Sequence, residues 1–222
     1  MLDSAYRHIH AAVPSARILL GGLLYGDQRW ISAMLATPGV SAIRKFDVAN
    51  VHVRTKAKHM SWVVKRWRAF FAARGFKGQL WITEHGYPGS RLFQYDPAFR
   101  GGEGAQAAFL SRSLPRLRKS GASQVFVTLR DSWPTEFIGE FASEGVVSIG
   151  ERAPYSVRRK PSFARIASLN DRWRKGERLI ALRRKHVRAA RRARKAGKRS
   201  KARRHSKIAR SYAKRLKKLG EF

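Results

Sequence analysis

The chain has 222 residues, 43% of them hydrophobic, with six Trp, no Cys and a formal net charge of +34. That composition allows one or two domains built on an apolar core and excludes disorder along the whole length, disulfides, thiolate metal sites and cysteine nucleophiles. No apolar run approaches the ~18 residues that span a bilayer, and no basic segment followed by an apolar stretch opens the chain, so neither a transmembrane segment nor a secretory signal is read.

In chain order, residues 2–13 predict an amphipathic helix, with Tyr6, Ile9 and Val13 at helical spacing and Pro14 as its stop. The run Ala16-Arg17-Ile18-Leu19-Leu20 ends in Gly21-Gly22 and suits a buried parallel strand. Residues 28–36 predict a helix closed by Pro38-Gly39, and 46–53 a second strand ending near His52. Residues 61–74 predict a helix carrying Trp62, Trp67, Phe70 and Phe71, with Gly75 as its C-terminal stop. A third strand at 79–83, a helix at 103–120 followed by Gly121, and a fourth strand at 123–129 come next. A long loop holding Asp131 and Trp133 then leads to Lys160-Pro161-Ser162-Phe163, which opens a last helix through Leu169.

Strand and helix alternate at intervals of about 30 to 45 residues, the mark of βα units and a parallel sheet. A doubly wound open sheet and part of a (β/α)₈ barrel both satisfy that rhythm. No Gly-x-Gly-x-x-Gly or phosphate-loop pattern follows any strand, which weighs against nucleotide binding.

Beyond Asn170 the composition shifts. Positions 171–222 hold 23 Lys/Arg against three acids, or +20, and positions 1–170 carry the remaining +14. The expected division is therefore a body at 1–170 and a Lys/Arg-rich tail at 171–222. The tail has good helix propensity, and Ile208, Tyr212, Leu216 and Leu219 form a thin apolar stripe, so it is helical or, if unpartnered, disordered. One reading makes it an anchor for nucleic acid or another anionic polymer; the other makes it a solvated, self-repelling extension. Aromatics are sparse there, which weighs against base stacking, and a helix lying on an anionic membrane is a further possibility.

In a parallel α/β sheet function collects where strands end. The strand-end residues here are Gly21-Gly22, His52, Glu84-His85, and Asp131 with Trp133. A carboxylate, imidazoles and an indole suit sugar chemistry: a carboxylate attacks an anomeric carbon and an aromatic face stacks on a pyranose. Trp81-Ile82-Thr83-Glu84-His85-Gly86 resembles the seventh strand of clan A glycoside hydrolases, the (β/α)₈ group that includes β-xylosidases and cellulases. Asp47-Val48-Ala49-Asn50-Val51-His52 resembles the sixth strand, the stretch from Ala12 to Gly22 resembles the run from fourth helix to fifth strand, and Val125 to Trp133 resembles the eighth.

The resemblance implies a C-terminal half of such a barrel, strands five to eight, with Glu84 as nucleophile of a retaining mechanism. His52, Asp131 and Trp133 would contact a carbohydrate substrate, with no metal or organic cofactor, and the intact family member would be extracellular. It also implies a missing partner. The family's acid/base Glu follows an Asn at the end of the fourth strand, and no Asn-Glu pair occurs here. Asp96, Glu103, Glu136, Glu140 and Glu144 lie in or near the loops, and their spacing singles out none as a substitute. Four strands do not close a barrel, and without its general acid the chain is expected to turn over glycosides slowly or not at all. If an earlier start exists, translation upstream of Met1 should reveal an Asn-Glu pair and the missing strands. The alternative reading is a non-catalytic protein that presents a cationic tail to nucleic acid or cell-wall polymer.

Overall fold

The structure, a computed structural model, describes residues 1–24, 27–38, 41–131, 142–149 and 156–220. The chain divides into two compact units, Met1–Ala164 and Arg165–Phe222. It is a mixed α/β protein, and among the described residues the strands lie in the first unit.

Helices α1 (Leu2–Ala12) and α2 (Gln28–Leu35) precede strand β1 (Val48–His52). Then come α3 (Met60–Ala72), β2 (Gln79–His85), α4 (Glu103–Lys119) and β3 (Gln124–Val127). Strands β1, β2 and β3 lie side by side in that order and all parallel. The expected strand near 16–22 is extended beside β1 but irregular. Leu19 and Leu23 make isolated parallel bridges to Val48 and Val51, and Leu20 N–H donates to the Val48 carbonyl at 2.9 Å. Past β3, Arg130 bridges in parallel to Val147, and β4 (Val147–Ile149) pairs antiparallel with β5 (Val157–Arg159).

The core follows from the sequence period. β1 is buried along Val48, Ala49, Asn50 and Val51, as a strand covered on both faces must be. α3 turns Met60, Val63, Val64, Trp67 and Phe71 inward, and Trp67 stacks on Phe71 with Phe46 and Phe76 beside them. A second aromatic cluster forms at the other end of the sheet. Phe109 of α4 stacks on Tyr87, with Tyr95 and Phe99 edge-on. Burying each such ring contributes about 1.5–3 kcal/mol, and this second cluster fixes the loop that follows β2. Gly75 and Gly121, at positive φ, close α3 and α4 as left-handed C-terminal stops.

The second unit is helical. α5 (Pro161–Lys195) passes without a break through the point where the composition changes, and α6 (Arg199–Leu219) folds back after a turn at Gly197. His186 Nδ1 faces His205 Nδ1 at 3.0 Å across the two helices, and Arg194 donates to Ser206. Small side chains make the close approach possible: Ala190, Ala193, Ala202 and Ala209 are buried, with Leu216 near the end. Burial, then His186 and the cations Lys201 and Arg204, hold the His205 imidazole below its ordinary pKa.

Candidate active site

Two neighbouring strands deliver the site: β1 ends at His52 and β2 carries Glu84 just before its last residue. Strict alternation along β2 would place Glu84 on the face of Leu80 and Ile82, against the helices. The strand does not alternate strictly. Val51 pairs with Ile82 but His52 pairs with Glu84, so one residue of β2, Thr83, is extra; toward β3 the register also shifts between Ile82 and His85. The consequence is visible in burial. Leu80, Ile82 and His85 are buried, while Trp81, Thr83 and Glu84 are partly open. A bulge of this kind re-aims a side chain, and here it brings the Glu84 carboxylate, 46% exposed, to the open face beside His52.

Among the described residues, both polar contacts of that carboxylate fall on one oxygen. Arg54 Nη1 donates to Glu84 Oε2 at 2.6 Å, and His52 Nδ1 lies 3.3 Å from the same atom. Among the described residues Oε1 has no polar partner. The floor beneath is polar and paired: Thr83 Oγ1 donates to Asn50 Oδ1 at 2.8 Å.

Arg54 has a second carboxylate. Its Nε and Nη2 reach Glu144 at 3.1–3.3 Å, and the Glu144 side chain is 1% exposed. Burial works against the Arg54 charge, yet the hydrogen bonds to Glu144 and Glu84 outweigh it and hold the guanidinium above its ordinary pKa. Arg54 is therefore a cationic bridge: one end anchored in a buried carboxylate, the other presented to Glu84. Gln106 pins the segment that carries Glu144. Its Nε2 lies 2.9–3.2 Å from the carbonyls of Tyr87, Ser143, Glu144 and Gly145, sharing two hydrogens among four acceptors.

Two glycines exist for these contacts. A Cβ on Gly22 would meet His52 Nε2 at 1.9 Å, and one on Gly86 would meet Glu144 Oε2 at 2.6 Å. Only a bare backbone lets His52 close on Glu84 from one side and Glu144 slide under the β2 turn from the other.

His85 belongs to the frame rather than the site. Its ring is buried against α4, with Nδ1 2.8 Å from the Val53 carbonyl and Nε2 2.7 Å from Ser113 Oγ. Burial drives its pKa down to about 4, the Val53 carbonyl opposing and Arg54 reinforcing the shift, so the ring is neutral at pH 7. Asp131 lies past the end of β3, where Lys160 Nζ donates to its carboxylate at 2.6 Å. Burial pushes this carboxyl above its usual range, against the pull of Lys160. Trp133 lies outside the described residues, as do Glu136 and Glu140.

The other carboxylates weighed as proton donors are engaged. Asp96 accepts from the Ala57 and Ala98 amides. Glu103 receives both ends of the Arg158 guanidinium, whose hydrogen bonds hold its carboxyl below the usual range. Glu144 is clamped by Arg54. Arg54 itself is what the strand-end reading missed. It stands two residues beyond His52, and a lone Arg carries no periodic or motif signal in a chain with 48 Lys/Arg. Among the described residues no group of three or more His, Asp or Glu side chains is placed to hold a metal ion, and no helix is long and apolar enough to cross a membrane.

No protein-family model and no curated protein sequence matches the chain. Two solved structures are similar to it at 10% sequence identity. One is the crystal structure of the glycoside hydrolase family 17 β-1,3-glucanosyltransferase from Rhizomucor miehei, with a TM-score of 0.46 over 66% of this chain and 52% of that one. The other is an active-site mutant of the Rhizomucor miehei β-1,3-glucanosyltransferase in complex with laminaritriose, with a TM-score of 0.45 over the same shares. The chain thus spans about half the length of the structures it matches.

Proposed function

We propose that the first unit is the strand-five-to-eight half of a clan A-type (β/α)₈ glycoside hydrolase, with Glu84 in the nucleophile position and a carbohydrate as ligand. The single observation that carries this reading is the β2 bulge. It turns one carboxylate of an all-parallel sheet onto the open face at the strand ends, the place where barrel enzymes keep their chemistry. Arg54 and His52 hold Oε2, which leaves Oε1 to attack an anomeric carbon. The new C–O bond forms as the glycosidic C–O bond breaks, and the leaving oxygen needs a proton. The described carboxylates near Glu84 are bonded elsewhere, so the reading assigns this half the nucleophile and leaves the proton donor to other residues. General acid help is typically worth 10²–10⁴-fold, and unactivated glycosides are accordingly poor substrates. In this reading Asp131 and Trp133 line the sugar site past the eighth strand.

An activated leaving group removes that requirement. A 2-deoxy-2-fluoro glycoside of 2,4-dinitrophenol expels a stable phenolate without protonation and leaves a slowly hydrolysed glycosyl ester. Incubation with gluco- and xylo-configured reagents should add one fluoroglycosyl mass to the chain, localised to the peptide carrying Glu84, and Glu84→Gln should take up none. Labelling that persists in Glu84→Gln, or no labelling with either reagent at millimolar concentration, overturns the assignment.

A further inference from the structure

The second unit carries 24 Lys/Arg against three acids in 58 residues. Where the α5–α6 turn closes, a groove of about 650 Å³ is lined by Arg194, Arg199, Arg203, Arg204, Lys207 and Arg210, with Ala202 and Ser206 between them and no carboxylate. We propose that this groove is a binding site for the phosphate backbone of a nucleic acid.

Spacing is the first argument. Arg199, Arg203, Lys207 and Arg210 follow one another at four, four and three residues, so they share one face of α6. At a rise of 1.5 Å per residue they span about 16 Å, the length over which one strand of B-DNA passes about five phosphates. Arg194 adds a fifth cation from α5. Guanidinium groups present paired donors that match two phosphate oxygens, which four of these five residues supply.

The second argument is what α6 does with its apolar stripe. A basic amphipathic helix that lies on a membrane must expose an apolar stripe. On α6 that stripe is covered: Leu216 is buried, and Ile208, Tyr212 and Leu219 are half-buried. The Tyr212 ring lies 5.8 Å from His186 of α5. Ala190 and Ala209 line the adjoining cleft together, so α6 offers solvent its charge and keeps its apolar face. The groove itself contains no aromatic side chain. Base stacking has no platform there, and contact is with the backbone, indifferent to sequence.

Third, like charges at helical i,i+4 spacing oppose folding. A hairpin that lines one groove with cations and no acid is complemented by an anion that bridges several of them at once. Phosphates at fixed intervals along a polymer do that over the whole length of the face.

The test uses the full chain and a fluorescein-labelled DNA duplex, with affinity followed by anisotropy as NaCl is varied. The wild type should show a steep linear fall of log affinity with log salt. The variant R199Q/R203Q/K207Q/R210Q should lower that slope by about 3 to 4, at about 0.9 for each phosphate no longer neutralised, and weaken binding at least tenfold at about 0.1 M salt. The comparison variant K214Q/R215Q/K217Q/K218Q removes the same charge outside the groove and should lose less than half as much slope. Gln is a good helix former, and far-UV circular dichroism of both variants should match the wild type. Equal losses in the two variants, tighter binding to phosphatidylserine vesicles than to duplex, or absence of duplex binding at about 0.1 M salt would each overturn the proposal. If R199Q/R203Q/K207Q/R210Q unfolds, R199K/R203K/R210K keeps charge and removes three of the forks; wild-type affinity in that variant also overturns it. Labelling of Glu84 by fluoroglycosides is unaffected by any of these outcomes, so the two assignments stand or fall separately.

Discussion

The two units use charge in opposite ways. In the first, several cations are met by carboxylates at defined positions: Lys45 with Asp3, Arg54 with Glu84 and Glu144, Arg158 with Glu103, Lys160 with Asp131. Each pair ties together segments far apart in sequence, so a charge there is a fastener with a direction. In the second, three acids stand among 24 Lys/Arg, too few to partner most of the cations. Charge there is a field, and the buried apolar residues are four alanines with Leu169, Trp173, Leu179 and Leu216. The difference teaches where a substitution will be felt: in the first unit by identity and geometry, in the second by number and placement along a face.

The largest effect expected from that contrast is at Arg54. Arg54→Met removes the cation bonded to the Glu144 carboxylate, which is 1% exposed. Removing one partner of a buried ion pair costs about 3–5 kcal/mol, read as a shift in the urea midpoint of the sheet unit by near-UV circular dichroism. The double variant R54M/E144Q removes the buried negative charge as well and should recover more than half of the loss. A cost below about 1 kcal/mol, the range of surface pairs, would place Arg54 with the diffuse charges of the hairpin and break the comparison.

Next in size is a group that carries no charge at neutral pH. His85 has its pKa driven from 6.5 to about 4 by burial. Between those two values the unfolded chain binds a proton that the folded chain refuses. Stability from this group is therefore complete above pH 6.5 and is lost as pH falls toward about 4. The loss is about 3 kcal/mol over that window. His85→Gln keeps a polar group near the Val53 carbonyl and Ser113 but cannot titrate. Its unfolding free energy should lack this fall over the same window, and an unchanged slope would contradict the buried, neutral ring.

How much of this was legible in the sequence follows from the same distinction. The helices α1 to α4 and strands β1 to β3 lie within a few residues of where apolar period, Pro14, Gly75 and Gly121 put them, because those signals are local. The segment near 16–22 lacks the regular ladder expected of it. Gly21 and Gly22 end its apolar run, and Gly22 yields its space to the His52 ring instead of carrying a side chain. Glu84 and His52 could be named from their strand ends, but the bulge that brings them to one face could not. It is a property of pairing between strands, and Thr83 does not announce it. Arg54 and Glu144 meet across 90 residues, a separation at which no spacing argument operates. The tail's helicity and its charge were legible from composition. The antiparallel return of α6 was not, since it depends on Ala190, Ala202 and Ala209 finding one another.

The smallest effect sharpens the comparison from the other side. Screening weakens interactions between exposed charges once the Debye length falls below their separation, from about 10 Å at 0.1 M salt to about 3 Å at 1 M. In the hairpin the exposed charges are overwhelmingly of one sign, so salt removes repulsion. Several like pairs along α5 and α6, each opposing the helix by about 0.2–0.5 kcal/mol, should together yield about 1 kcal/mol of stabilisation between about 0.1 and 1 M NaCl. In the sheet unit salt weakens exposed attractive pairs such as Asp3 with Arg7 and Lys45, while the Arg54–Glu144 contact is shielded by burial. Thermal unfolding watched by far-UV circular dichroism reports mainly the two long helices, and by near-UV circular dichroism mainly the packed aromatics around Trp67 and Phe109. The far-UV midpoint should rise with NaCl while the near-UV midpoint stays level or falls slightly. A sulfate salt, which can bridge guanidinium groups, should raise the far-UV midpoint further at equal ionic strength. If both midpoints move together in the same direction, charge is not partitioned between fastener and field as the geometry of the two units implies.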